Sequence, residues 1–187
     1  MKDTDGNGTI TSDDRQVIAT PEPKFFGGWT NMFTYKNLSL SFLMQFSCGG
    51  EAVYSNLGEE ISGVLGQSVG RELYGNTWTP ERTDAKYARL VAGTMSYNYM
   101  ANDRFVFDTS YLRMKNITLS YSLPKAWINK LYLSNASLFV TATNLFTITQ
   151  WPGLDPETVA TGITSMGTNN DPYPLSRSFS LGVKLQF

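Results

Sequence analysis

The sequence has no histidine and a single cysteine. Without an imidazole there is no base for a serine or cysteine nucleophile and no nitrogen ligand for zinc. With Cys48 alone, no disulfide closes within the chain and no thiolate cluster can form. Its neighbours Ser47, Gly49 and Gly50 read as a strand end and not as the setting of a reactive thiol. Charge is also scarce, at 17% of 187 residues, against about 25% in ordinary soluble domains. The net charge is -1, so there is no basic excess to hold a phosphate backbone, and no nucleic-acid partner is expected. No apolar run approaches the ~18 residues of a membrane-spanning helix. The polar, acidic stretch after Met1 and Lys2 does not read as a secretory signal peptide.

Aromatic side chains, in contrast, are abundant. They make up 13% of the residues, with 10 Tyr, 11 Phe and 4 Trp beside 16 Gly. This composition suits a β protein with uncharged polar surfaces, or one that does not sit wholly in water.

The first chemistry in the chain is a twelve-residue loop at 3–14 of the D-x-[DN]-x-[DN]-G type. Asp3, Asp5 and Asn7 supply side-chain oxygens at positions 1, 3 and 5, and Gly8 falls where the chain must turn sharply. Thr9 would offer a backbone carbonyl, and Asp14 closes the loop in place of the usual, longer Glu. Hard oxygen donors suit Ca²⁺ over transition metals. No amphipathic helices flank the loop, so a structural calcium is expected and not a paired sensor.

From residue 24 the apolar period is two. Phe25–Tyr35 reads as a strand with Trp29, Phe33 and Tyr35 on one side. A two-residue turn at Lys36-Asn37 follows, then a strand with Leu38, Leu40, Phe42, Met44 and Phe46 on one face. A third strand spans 111–123, with Ile117, Leu119, Tyr121 and Leu123 sharing a face. A fourth spans 135–146, and a fifth carries Phe179, Leu181, Val183, Leu185 and Phe187. A short helical turn is expected after Pro124. By strict alternation Arg113 and Lys115 lie on the Ile117 side, as a cation pair at the outer rim; only a bulge would turn them to the opposite side.

The strands are roughly 10–13 residues long, near the 9–11 that a tilted strand needs to cross a bilayer core. Their connections alternate short and long, with one long outer loop at 48–110, as in outer-membrane barrels. The expected fold is therefore all-β: an antiparallel transmembrane β-barrel segment of about five long strands with long outer loops. Five strands cannot close such a barrel, so the chain is expected to be a fragment of a larger one. The alternative is a soluble extracellular calcium-stabilised β-sandwich module that binds carbohydrate. An enzyme is not expected: Glu59-Glu60 lies in a Gly-rich loop with no sign of a buried acid, and the Asp155 and Glu157 pair reads as part of a turn.

One stretch is more specific than the rest. Asp103 and Arg104, then Asp108 and Ser110, then Tyr111-Leu112-Arg113-Met114-Lys115-Asn116-Ile117-Thr118-Leu119 through Pro124 are similar to an aspartate and serine followed by YLRLKNITLGYTLP. That is a signature of the SusC/RagA-type TonB-linked outer-membrane transporters. Pro23-Lys24, Trp78-Thr79-Pro80-Glu81, Asn144-Leu145-Phe146-Thr147, Gly153-Leu154-Asp155-Pro156-Glu157 and Tyr173-Pro174 continue the resemblance in order. The chain resembles the C-terminal portion of such a receptor over residues 1–187.

The resemblance implies a 22-stranded barrel with a plug, in the outer membrane of a Gram-negative bacterium and in contact with outer-membrane lipid. It also implies uptake of a glycan or peptide substrate (oligosaccharide or peptide) with a SusD-like surface lipoprotein as partner. The TonB system would act through an N-terminal region that this sequence does not include, and the chain would not transport alone. Tyr54, Tyr74, Trp78, Tyr97, Tyr99 and Trp151, in the outer loops, are the candidates for substrate or partner contact. Phe187 resembles the terminal aromatic that serves as the assembly signal.

Overall fold

The computed structural model describes residues 3–9, 11–54, 71–89, 103–159, 168–169 and 173–187. Two compact units emerge from one chain. A sheet unit comprises Pro23–Gly49, Thr109–Gln150 and Tyr173–Phe187, and a loop unit comprises Met1–Glu22, Gly50–Asp108 and Trp151–Pro172.

In the sheet unit, β1 (Phe25–Tyr35), β2 (Leu38–Cys48), β5 (Tyr111–Ser122), β6 (Asn135–Thr143) and β9 (Ser178–Gln186) are neighbours in that order, all antiparallel. The loop unit holds β3 (Glu51–Tyr54), β4 (Val106–Asp108) and β8 (Thr168–Asn169), joined as a small sheet. The strands of the large sheet have 9 to 12 residues. The period-two reading located all five because each strand presents one apolar and one polar face.

Register turns these alternations into rows. Tyr35, Leu38, Tyr121, Leu138 and Val183 lie abreast, and the next row is Phe33, Leu40, Leu119, Val140 and Leu181. Rows on the opposite face are Thr34, Ser39 and Ser120, then Met32, Ser41, Thr118, Thr141 and Ser180. The polar face is knit by hydroxyl pairs: Thr118 Oγ1 lies 2.9 Å from Thr141 Oγ1, and Thr34 Oγ1 lies 3.3 Å from Ser39 Oγ. Thr143 and Ser178 form a third such pair. The apolar face stays open to its surroundings. Leu181 is 79% exposed, and Trp29, Phe33, Leu119, Val140, Phe179 and Val183 are also exposed. A sandwich would bury this face against a second sheet; among the described residues none covers it.

Aromatic rings add cross-strand contacts on that face. Trp29 meets Phe42 edge-on at 5.4 Å, and Phe25 meets Phe46 at 6.0 Å. At the β1–β2 turn, Lys36 takes the left-handed φ of 54°, not Asn37. The Asn37 carbonyl instead accepts from the Ser122 N–H at 2.8 Å. The helical turn expected after Pro124 is Lys125–Ile128, and Ile128 packs with Leu133, Ala136 and Leu123 into a small core.

Two expectations need correction. The strand over 135–146 ends at Thr143 because Asn144 turns left-handed, with φ of 49°. Its N–H donates to the Lys115 carbonyl at 3.0 Å, and its side-chain amide to the Ser176 carbonyl at 3.0 Å. The chain then resumes as β7 (Thr147–Thr149), which pairs with Tyr111–Arg113.

The second correction concerns the cation pair. Leu43 faces Asn116 but Met44 faces Met114, so Lys115 is an extra residue in β5, a bulge. Beyond it every side chain changes face. Arg113 pairs with Gln45 on the polar face and is 3% exposed, so it is not a rim cation. Gln45 Nε2 donates to Tyr111 Oη at 3.1 Å, and the Arg113 guanidinium lies 5.8 Å from the Tyr111 ring centre.

The polar face contains one tight approach. A Cβ built at Gly182 would overlap the tip of the Phe139 ring, with Cε1 at 2.7 Å. Gly182→Val should therefore destabilise the sheet by about 1–3 kcal/mol through overpacking. The same change in a Phe139→Ala background should cost far less, and a double-mutant cycle of unfolding free energies measures the difference. Equal costs in both backgrounds would show that the ring does not hold that space.

Candidate functional site

The loop at 3–14 is closed by its own carboxylates. Asp3 accepts from the N–H groups of Gly6 (2.7 Å) and Gly8 (2.8 Å), one on each oxygen. Asp14 accepts from Thr4 N–H at 2.7 Å and Thr11 N–H at 2.8 Å. Asp5 Oδ1 accepts from Asn7 N–H at 3.0 Å, and Asn7 Oδ1 from Thr9 N–H at 2.7 Å. Gly6 and Gly8 adopt φ of 77° and 79°, which glycine takes without a Cβ penalty. Carboxylate oxygens of Asp3, Asp5 and Asp14 lie within 4.8 Å of one another. This all-oxygen donor set, with glycine at the sharp turn, fits a hard divalent cation.

Backbone donors also set the acidity. The Gly8 and then the Gly6 N–H hold the Asp3 carboxyl below its ordinary value of 3.8, and the nearby Asp14 charge opposes this. The Thr11 and Thr4 N–H groups lower Asp14 likewise. A carboxylate favoured in the folded loop contributes its stability above the ordinary value, and that contribution is lost as pH falls through the lowered folded value. The Gly6 and Gly8 amide resonances should therefore titrate together at a pH below 3.8. Midpoints at or above that value would exclude these hydrogen bonds as the cause.

The outer-loop aromatics divide sharply. Tyr54 and Trp151 are buried, in T-shaped contact at 5.6 Å, and pack with Ala52, Phe107 and Val159. They form the core of the loop unit and present no open ring face to a ligand. Tyr74 is exposed, and Trp78 lies at the edge of exposure, its backbone N–H donating to the Tyr87 carbonyl at 2.9 Å. Tyr97 and Tyr99 lie outside the described residues, as do Glu59 and Glu60. A second small core joins Leu73, Tyr87 and Phe105 with Val53 and Ala88.

Asp155, a former candidate acid, is a buried cap. Its Oδ1 accepts from Glu157 N–H at 3.0 Å at the start of the turn Pro156–Thr158. Phe187 follows β9 and is exposed. Sequence reasoning missed the buried Arg113, although a Lys115 bulge would have announced it.

No family model matches the chain. Relatives do. TonB-dependent receptor P3 of Formosa agariphila is 33% identical over 99% of this chain and 18% of its own length. TonB-dependent receptor SusC of Bacteroides thetaiotaomicron is 32% identical over 99% of this chain and 17% of its own. The chain thus spans less than a fifth of the length of these two curated relatives, and both are named as receptors. Among solved structures, the RagAB peptide importer in its closed-closed state superposes with a TM-score of 0.77 at 23% identity, over 100% of this chain and 20% of that one. Its open-open state gives 0.76 at 22% identity, over 96% and 19%. The large sheet is thus a portion of a TonB-dependent receptor barrel wall. With relatives matching along nearly its whole length and a fold shared with the RagAB importer, the chain is a SusC/RagA-type segment of the TonB-dependent receptors.

Proposed function

We propose that the protein bearing this segment is a nutrient importer of a Gram-negative outer membrane, driven by the TonB system. It would take up oligosaccharide or peptide beneath a SusD-like surface lipoprotein. The observation that supports this most is the continuous, exposed apolar face on strands long enough to cross a bilayer, backed by a polar face without acidic side chains. The two open edges, β1 and β9, would be satisfied by further strands, since lipid leaves no backbone group to water. The short turn at 36–37 and the connection at 123–134 would then face the periplasm.

Peptide comes into the proposal from the RagAB importer, and glycan from the resemblance to the SusC type. Tyr74 and Trp78 are the described aromatics best exposed for a ligand or the lipoprotein. Phe187, exposed at the chain end, would be read during barrel assembly. To test the whole reading, cells lacking the receptor are supplied with labelled oligosaccharides and peptides, with and without the restored gene. TonB-dependent uptake in the restored cells, with the receptor in the outer-membrane fraction, is the expected result. A receptor found in the soluble fraction would overturn it.

The loop at 3–14 would hold Ca²⁺ through Asp3, Asp5, Asn7, Thr9 and Asp14, as a structural ion. Its chemistry is to neutralise three clustered carboxylates and tie the loop ends together. Asp3→Ala combined with Asp5→Ala should abolish calcium binding measured by titration calorimetry. Identical loop protection from proteolysis with and without chelator would count against the ion.

A further inference from the structure

Every Asp and Glu of the sequence lies outside the three stretches of the sheet unit. Those stretches nonetheless hold eight of the 15 Lys and Arg residues. Three of these cations gather at one end. Lys36 sits in the β1–β2 turn, and Lys125 and Lys130 in the connection from β5 to β6, and all three are exposed. Two backbone bonds join these pieces into one rim: Ser122 N–H donates to the Asn37 carbonyl at 2.8 Å, and Ser134 N–H to the Gln186 carbonyl at 2.8 Å.

The rim begins beyond the row of Tyr35, Leu38, Tyr121, Leu138 and Val183, which β6 and β9 extend by one apolar pair, Ala136 and Leu185. Its large side chains are amphipathic: Tyr35, Trp127 and Tyr132 are all exposed, and the Lys36 ammonium lies 5.3 Å from the centre of the Tyr35 ring. Rings of this kind settle at the level of lipid headgroups, and a lysine stem extends along apolar surface to place its charge among them. No carboxylate side chain of the same unit competes for these ammonium groups.

We infer that this rim docks on anionic phospholipid, with Lys36, Lys125 and Lys130 holding headgroup phosphodiester oxygens beside Tyr35, Trp127 and Tyr132. The inference rests on the membrane-spanning reading above. A bilayer is the occupant because the cations continue an apolar face instead of forming a separate patch, and because an anionic headgroup complements a unit whose charged side chains are all cationic. Each lysine near an anionic surface contributes about a fivefold preference.

The test uses the whole receptor reconstituted in vesicles of equal phosphatidylglycerol and phosphatidylcholine, followed by mass spectrometry of the phospholipid that stays bound on extraction. The wild type should retain phosphatidylglycerol at least about tenfold over phosphatidylcholine. Lys36→Gln with Lys125→Gln and Lys130→Gln should return the ratio to that of the bulk, whereas Lys24→Gln should not. If the triple variant does not fold, each single variant should still lower the ratio severalfold. An unchanged ratio in the variants, or none in the wild type, overturns the lysine assignment; so does binding of an acidic protein with no lipid preference. A receptor that fails to insert and is digested throughout by external protease overturns instead the membrane reading beneath it.

Discussion

Trp151→Ala should cost the loop unit about 3–5 kcal/mol, the usual range for removing a large buried aromatic. Trp151 is 5% exposed and meets two rings edge-on, Tyr54 at 5.6 Å and Phe107 at 6.3 Å. Such pairs contribute about 0.5–1.5 kcal/mol beyond their buried area, so Tyr54→Ala should be nearly as damaging. Because this unit has small cores of its own, the loss should appear as faster hydrogen exchange and easier proteolytic cleavage within residues 50–108 and 151–172, while β2, β5 and β6 keep their protection. Tyr74→Ala is the control: that ring is 93% exposed, and its loss should change stability by no more than about 0.5 kcal/mol. A Trp151→Ala receptor with unaltered exchange but weakened substrate binding would return Trp151 to the surface role first expected of it.

Ile117→Arg should destabilise the sheet by about 2–4 kcal/mol, the cost of a guanidinium on a lipid-facing barrel position near the midplane. Ile117 lies between Phe42 and Ala142 in a row that also holds Phe179, four residues along β5 from Tyr121 at the turn end. Thr141, on the next strand, points to the other face and shares a hydroxyl contact with Thr118. Thr141→Arg should therefore lose only about one hydrogen bond, ~1 kcal/mol. The measurement is the folded, protease-resistant fraction of receptor refolded into vesicles, for the two variants side by side. Equal losses would mean that the two faces meet similar surroundings, which a membrane wall forbids.

Much of the sheet was legible in the sequence because a strand with two unlike surroundings writes them as alternate residues. Leu38 to Phe46 and Phe179 to Phe187 declare their faces without help from any other part of the chain. The clustering of Asp3, Asp5 and Asp14 about a glycine turn was legible for a similar reason, since those residues are all local. What escaped depends on partners distant in sequence. The β3–β4 pairing brings Glu51 to Asp108 across the long outer loop, and nothing near either residue specifies the other. Burial of Tyr54 and Trp151 follows from that pairing, so an aromatic in a polar loop looked like a free surface ring. The end of β6 at Asn144 was hidden by the apolar Leu145 and Phe146 beyond it, which continue the composition of a strand but not its path.

The extra residue at Lys115 has a consequence for how this segment tolerates insertion and deletion. The bulge acts as a parity switch: on one side of it odd-numbered residues of β5 share the face of Ile117, and on the other even-numbered ones do. Deleting Lys115 would close the bulge, leave Leu43–Asn116 and Met44–Met114 as consecutive pairs and keep every face. Deleting a regularly paired residue such as Thr118, with the bulge kept, would instead exchange Tyr111 and Arg113 for Leu112 and Met114 across the wall, and the cost would fall several residues from the lesion. Length in this strand is in effect coded modulo two, so a compensated pair of changes should survive where a single one fails.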